Sequence, residues 1–382
     1  MGEQITLRDV ALGCSVSVAT ASRALNNKPG VSESLRQQIL GYASSIGYTP
    51  DAVARSMRSR RTDIAYIVVR ADHGQSLPYQ IPASSAFLSN IGIDVEVHAV
   101  AFDADLIEDL KKVENTYQPR LFIILGPCLV AEVARFRCLT TPLLFVESDD
   151  APTEYPKVMS DDIDGTRTLV NSMLDAGHQR IAVLTDDGVD GEPNYAKRII
   201  GYRRAIEARG IKFDPSIIHS LPIDSKDYLS SSEEMLMKYI LPVLQYKAPR
   251  TRAKPTAVLV LSDFLALTLM RVLWNAGITV PHDLSVASYG GWTLTKFIPT
   301  SIHTWVQPVP DLLATVMEAM RAMLANKPFP KTLDLPQTHP DGSHGIAHAI
   351  TPRTYIVPGY LREGQSLAPP SSTNDGTISL SV

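Results

Sequence analysis

The sequence predicts a small all-α head of helix-turn-helix type followed by an α/β body built on parallel sheets. Three observations predict it. Residues 1–61 show short helical periods separated by loop-forming composition. From residue 62 onward, apolar runs of strand length alternate with helix-length stretches, which implies parallel sheets covered by helices. Charge divides at the same place, with a net +4 over residues 1–61 and −8 over the remaining 321. A basic head on an acidic body suits a nucleic-acid-binding module joined to a domain with another task.

Composition bounds the rest. At 382 residues the chain has room for two or three domains. With 45% hydrophobic and 20% charged residues it reads as globular and not as a disordered chain. Its longest apolar runs, such as Ala257 to Leu261, are far too short to span a bilayer, so no membrane partner is expected. The start, Met1-Gly2-Glu3-Gln4, lacks the basic and apolar regions of a secretory signal. Cys14, Cys128 and Cys138 are widely spaced and form no Cys-x-x-Cys pair, so they read as apolar fillers in a cytoplasmic protein. No nucleophile elbow, phosphate loop or zinc pattern is present, so no catalytic residue, metal or cofactor is assigned.

In the head, Leu7, Val10 and Ala11 give a first helix with one apolar stripe, broken at Gly13-Cys14-Ser15. Ser17 can cap a second helix over residues 18–25, with Ala21, Ala24 and Leu25 facing the first. Val18, Ala19, Ser22 and Arg23 share its opposite side. Asn26 to Gly30 is loop by composition, and Ser32 can cap a third helix carrying Leu35, Ile39, Leu40, Ala43 and Ile46, stopped by Gly47. Two short helices joined by a tight turn and braced by a third make a helix-turn-helix.

Thr6-Leu-Arg-Asp-Val-Ala, Val16-Ser-Val-Ala-Thr-Ala-Ser-Arg-Ala-Leu-Asn26, Val31-Ser32, Gly47-Tyr-Thr-Pro50 and Ala54-Arg-Ser-Met57 together resemble the head of the lactose-repressor (LacI/GalR) family. The resemblance implies that Val18, Ala19 and Arg23 read bases. Of these, Arg23 has the strongest means, because a guanidinium can grip guanine O6 and N7 together. It also implies that Thr6, Ser17, Thr20, Ser22 and Asn26 hold phosphates, although Ser17 can equally serve as a helix cap alone. Residues 50–61 then resemble the hinge helix and linker, with Ala54, Arg55 and Met57 at the minor groove and Met57 as the apolar wedge. One or two helical turns are unstable alone, so such a hinge orders only against DNA and its partner. The implied partners are double-stranded DNA with a near-palindromic operator and a second copy of the chain.

In the body, strands are expected at 63–70, 93–99, 121–125, 143–146, 181–185, 256–261 and 284–289, and helices at 105–117, 165–176, 194–209, 228–246 and 264–276. Residues 333–348 read as an irregular insertion, and 363–382 as a flexible tail without heptads. The motifs Asp161-Asp-Ile-Asp-Gly165, Ala176-Gly-His-Gln-Arg-Ile-Ala182, Arg198-Ile-Ile-Gly-Tyr202, Asn275 to Val286 and Val357-Pro-Gly-Tyr-Leu continue the family resemblance. They imply a periplasmic-binding-protein-like (type I) effector-binding and dimerisation domain over 62–362 after a head of 1–49. Lobe one is expected at about 62–160 and 292–322, and lobe two at about 161–290 and 323–362.

Ligands in such folds lie beyond the carboxyl ends of the strands. Arg198 matches the family's effector-binding arginine, and a surface ion pair is its plainer role. Asp161, Asp162 and Asp164 open a lobe-two helix, where capping and ligand binding compete. Tyr228 is either a stacking aromatic or a core one. The family's Asn-Asp after the strand at 256–261 is Ser262-Asp263 here, and its aspartate after Tyr289 is Gly290, beside which Trp292 offers a stacking surface. Leu77-Pro-Tyr-Gln80 only faintly resembles the family's lobe-one segment. The expected function is a DNA-binding transcriptional regulator, a repressor of carbohydrate-utilisation genes under a sugar-like effector. The alternatives are a regulator with a degenerate pocket, constitutive or protein-responsive, and a sugar-binding receptor.

Overall fold

A computed structural model of the chain describes residues 7–25, 30–46, 64–70, 94–101, 104–126, 130–148, 151–187, 193–223, 227–242, 254–307, 309–339 and 342–370. The chain divides into two units, Met1–Thr62 and Asp63–Val382.

The head holds α1 (Leu7–Gly13), α2 (Val18–Leu25) and α3 (Glu33–Ser45), as the periodicity predicts. Val10, Ala11, Ala21, Ala24, Ile39 and Ala43 close a small core in which Ala21 and Ala24 let the helices approach closely. Ser15 takes a left-handed φ of 56° in the turn between α1 and α2, a conformation that costs a non-glycine residue about 1–2 kcal/mol. A Cβ on Gly13 would lie 2.1 Å from the Tyr42 ring, so a larger residue there must displace that ring. Arg36 of α3 is buried and donates to the carbonyl of Ala24 at 3.1 Å, satisfying one of the carbonyls that α2 leaves open at its end. Leu40 is more exposed than its place in the helical pattern suggests.

In the body, β1 (Ile64–Arg70), β2 (Asp94–Val100), α4 (Leu106–Tyr117), β3 (Leu121–Leu125), β4 (Leu143–Val146) and β5 (Lys157–Ser160) begin the first lobe. The second lobe holds α5 (Asp162–Asp175), β6 (Ile181–Asp187), α6 (Pro193–Ala208), β7 (Ile218–Pro222), α7 (Tyr228–Met235), β8 (Ala257–Val260), α8 (Asp263–Asn275), β9 (Ser285–Gly290) and β10 (His303–Val306). The chain then forms α9 (Val309–Leu324), β11 (Thr332–Thr338), β12 (His344–Thr351), β13 (Thr354–Val357) and β14 (Tyr360–Arg362). One sheet runs β11-β12-β13-β5-β4-β3-β1-β2, and the other β14-β10-β9-β8-β6-β7. All pairs are parallel except those of β12 with β11 and β13, and that of β14 with β10.

Both faces of each sheet are covered, which explains continuous apolar strands such as Ala257 to Val260, all fully buried. In the first lobe, Val316, Ala319 and Met320 of α9 pack on one sheet face, and Ile107 and Leu110 of α4 on the other.

The division between lobes differs from the sequence expectation. Residues 303–306, expected in lobe one, pair with β9 in the second sheet, and 332–357, expected in lobe two, complete the first sheet. Three crossovers therefore link the lobes, after β5, after β10 and after β13. Sheet membership is fixed by pairing between distant segments, which local periodicity does not carry. Residues 333–348 are no irregular insertion, since they supply most of β11 and β12, whose bulged register at 334–338 hides the alternation. Within the expected tail, residues 363–370 pack against the second lobe. Ser366 in it is buried, donates to the Val286 carbonyl and accepts from His303 N at 2.9 Å.

Candidate functional site

In the head, α2 separates two faces. Ala21 and Ala24 are buried, whereas Val18 and Arg23 are exposed. Ala19 lies on the same helix, and Thr20 and Ser22 are half-buried. Ser17 Oγ accepts from Thr20 N at 3.0 Å, so its capping role is realised. Thr6, Asn26 and the hinge residues Ala54, Arg55 and Met57 lie outside the described residues.

In the body, the strands end in a row of polar and aromatic side chains. Arg198, on α6, is buried, donating from Nε to Asp162 Oδ1 at 3.3 Å and from an Nη to the Leu261 carbonyl at 2.7 Å. Its guanidinium carbon lies 4.1 Å from the Tyr289 ring centroid and 5.4 Å from that of Tyr195. Burial works against its charge, but Asp162, the two tyrosines and Glu147 outweigh burial and raise its pKa above the ordinary value. The expected ion pair thus exists, but it is internal and not on the surface.

Tyr195 continues the row, with its hydroxyl donating to Asp186 Oδ1. The Tyr228 hydroxyl donates to the other oxygen of the same carboxylate. Tyr228 meets Phe264 edge to face at 4.9 Å, and Phe264 meets Trp292 at 6.1 Å. Tyr195, Tyr228, Phe264 and Trp292 are all half-buried, each partly open to solvent.

Asp263 is buried, accepting from Ser288 Oγ and from Trp292 N, each at 2.5 Å. Burial raises its pKa, while these donors and the nearby Arg362 charge oppose the rise. Its geometry holds the exit of β9 in shape. Gly290 there has φ 142°, and a Cβ on it would lie 2.8 Å from Asp263 Oδ2, so the missing family aspartate has no room.

Asp161 caps α5, accepting from Asp164 N at 3.1 Å, and its own carboxyl is shifted upward mainly by burial. Asp164 is exposed and pairs with Arg167 at 2.9 Å. Of the three aspartates, Asp162 alone reaches Arg198.

Sequence reasoning missed Glu147 and Asp186. Glu147 follows β4 in the first lobe with a left-handed φ of 55°, accepting from Ser160 N at 2.7 Å and Ser160 Oγ at 2.9 Å. Burial and the Asp162 charge push its pKa up to about 7, against the Ser160 donors and Arg198. Gln307, leaving β10, donates to Ser160 Oγ at 3.3 Å, so two crossovers meet beside this carboxylate. Strand-end position was the available signal, since both acids follow apolar runs.

Among the described residues, no cluster of histidine, cysteine or acidic side chains could hold a metal ion, and no helix is long and apolar enough to cross a membrane.

Residues 6–51 match the lacI family of bacterial regulatory proteins, and residues 170–341 match a periplasmic binding protein-like domain. Among curated relatives, the catabolite control protein A of Priestia megaterium is 25% identical over 329 residues, covering 83% of this chain and 91% of its own. The transcriptional repressor CytR of Escherichia coli K12 is 27% identical over 304 residues, covering 79% and 85%. The fold is that of the lac repressor dimer bound to operator and the anti-inducer ONPF, with a TM-score of 0.62, 22% identity and coverage of 96% and 100%. The regulator CelR in its cellobiose complex gives a TM-score of 0.61 at 19% identity, covering 95% and 99%. The chain thus joins a lacI-type regulatory head over residues 6–51 to a periplasmic-binding-protein-like body, the pairing of a DNA-binding regulator of transcription.

Proposed function

We propose that the protein is a cytoplasmic homodimeric repressor of carbohydrate-utilisation genes, binding a near-palindromic operator under the control of a sugar-like effector, and that it has no catalytic activity. The observation that carries this reading is the exposed face of α2, where Val18 and Arg23 stand clear of a core that holds the helix by its other side. Arg23 reads a guanine, Val18 and Ala19 offer apolar contact, and Ser17, Thr20 and Ser22 approach phosphates, as do Thr6 and Asn26. Ala54, Arg55 and Met57 enter the minor groove. One such helix reads too few base pairs for genomic specificity, so two copies are needed.

The crevice row of Asp162, Arg198, Tyr228 and Trp292 is the effector site in this reading, with Glu147 and Asp186 added to it. Asp161, Asp164 and Asp263 shape its walls. Relatives named for catabolite control and for a ribose operon support a carbohydrate setting. The test is selection of a binding site from random duplexes, followed by titration at several salt concentrations. The expected outcome is a near-palindromic site occupied by two chains, with affinity falling steeply with salt. Occupancy of an asymmetric half-site by one chain would refute it.

A further inference from the structure

The chemistry of the crevice narrows the class of its ligand. Along the row from Glu147 to Trp292, the described residues supply six carboxylates, Glu147, Asp161, Asp162, Asp164, Asp186 and Asp263, and four cations, Arg167, Lys197, Arg198 and Arg362. Among the described residues the guanidinium groups of this row are already engaged by the protein, that of Arg167 by Asp164. Arg198 donates to Asp162 and to the Leu261 carbonyl, and Arg362 donates to the Gly291 carbonyl at 3.0 Å and to Thr295 Oγ1. Recognition of a phosphate or carboxylate favours a guanidinium fork turned to the ligand. Here the forks turn to the protein's own oxygens.

Asp186 is different. Its two oxygens are held by phenol hydroxyls, from Tyr195 on α6 and Tyr228 on α7, and no arginine or lysine is paired with it among the described residues. A carboxylate clamped by two neutral donors is fixed in place. The edge-to-face row Tyr228–Phe264–Trp292 begins at that carboxylate. Aromatic faces beside a fixed anion attract a cation borne on a ring, because the quadrupole and the carboxylate act together.

We infer that the crevice takes a ring compound bearing a protonated amine, of the amino-sugar class, and rejects phosphorylated and acidic sugars. The ring lies along Tyr228, Phe264 and Trp292, and the ammonium points to Asp186. This rests on the reading that the body binds a small effector, and it adds the charge of that effector.

The experiment uses the full chain and matched pyranose sets by calorimetry. Glucose, glucosamine, N-acetylglucosamine, glucuronate and glucose 6-phosphate form one set, and the galactose series forms a second. At least one amine should bind tenfold or more tighter than its hydroxyl parent, with no saturation by the acidic and phosphorylated members. The N-acetyl member keeps the nitrogen without its charge and should lose the gain. Asp186→Asn keeps the size of the side chain and should bring amine and hydroxyl members within threefold of each other. If that variant does not fold, the N-acetyl comparison carries the same test on the unaltered protein. The inference is overturned if an acidic or phosphorylated member binds as tightly as the amine, if a neutral parent binds within threefold of it, or if no amine binds. Each ligand is also added to the complex with the selected operator DNA. A neutral sugar that binds within threefold of its amine and changes operator affinity sinks the amine inference alone, whereas failure to bind any specific DNA sinks the regulator reading.

Discussion

Arg198 and Asp162 join two helices across the strand ends of the second lobe, with Nε 3.3 Å from Oδ1 and both side chains buried. Removing one member of such a pair strands the other charge without solvent. Arg198→Ala should therefore destabilise the body by about 3–5 kcal/mol, a loss that a merely ligand-touching residue does not produce. Arg198→Lys should recover only part of it, because an ammonium cannot serve Asp162 and the Leu261 carbonyl in one plane. Urea unfolding followed at the body's tryptophans measures both. A loss below about 1 kcal/mol, the range of exposed pairs, would show that the pair is not sealed from solvent.

Glu147 gives the body a defined pH dependence. Its carboxyl titrates near 4.5 in an ordinary setting and at about 7 in the folded protein, chiefly through burial and the Asp162 charge. The folded state thus holds the proton more tightly than the unfolded one. This contribution is fully present below about 4.5, declines as pH rises and is lost above about 7. Glu147→Gln removes the titration. The melting temperature of the Gln variant relative to the parent should rise steadily between pH 5 and pH 7.5 and then level off. A difference constant across that range would contradict the assigned environment.

Much of this architecture is legible in the sequence, and the residues show where legibility ends. The three head helices are written in local periods, and Ser17 announces its cap by type and position. The fully apolar Ala257 to Val260 announces a strand covered on both faces. The lobe to which a late strand belongs is not local, so β10 and β11 to β13 could not be placed from their own residues. At the site, family pattern pointed to Arg198, yet its contacts with Asp162, Leu261 and Tyr289 come from three separate elements. Asp186 and Glu147 carry no motif, and only the meeting of strand ends gives them meaning.

Gly290 invites the thought that restoring an aspartate would restore the family's usual site. The geometry argues otherwise. The φ of 142° suits glycine, and a Cβ would press on Asp263 Oδ2 at 2.8 Å, bringing a second carboxylate against a buried one. Gly290→Asp should cost about 1–3 kcal/mol from backbone strain alone, with like-charge repulsion in addition. Gly290→Ala separates the two effects, since it adds the strain without the charge. Thermal melts of both variants check this, and a stabilised Gly290→Asp would show that the β9 exit can rearrange.

Two arginines of the head should fail in different ways. Arg23 is exposed on the outer face of α2, whereas Arg36 is buried beneath it and donates to the carbonyl of Ala24. Arg23→Ala should leave the head folded, cost about 1–3 kcal/mol in operator binding and relax preference at one base pair. Arg36→Ala removes a charged hydrogen bond at the end of α2 and should cost about 1.5–3 kcal/mol of head stability. Because it loosens the whole helix, it should weaken binding to operator and to random duplex in similar proportion. Competition titrations against a panel of single-base operator variants distinguish the two, with the head's thermal unfolding as the second readout. If Arg36→Ala changed preference at a single base pair while the head melted like the parent, its assignment as the support of α2 would be wrong. If Arg23→Ala lowered specific and random binding equally, the outer face of α2 would not be the one that reads bases.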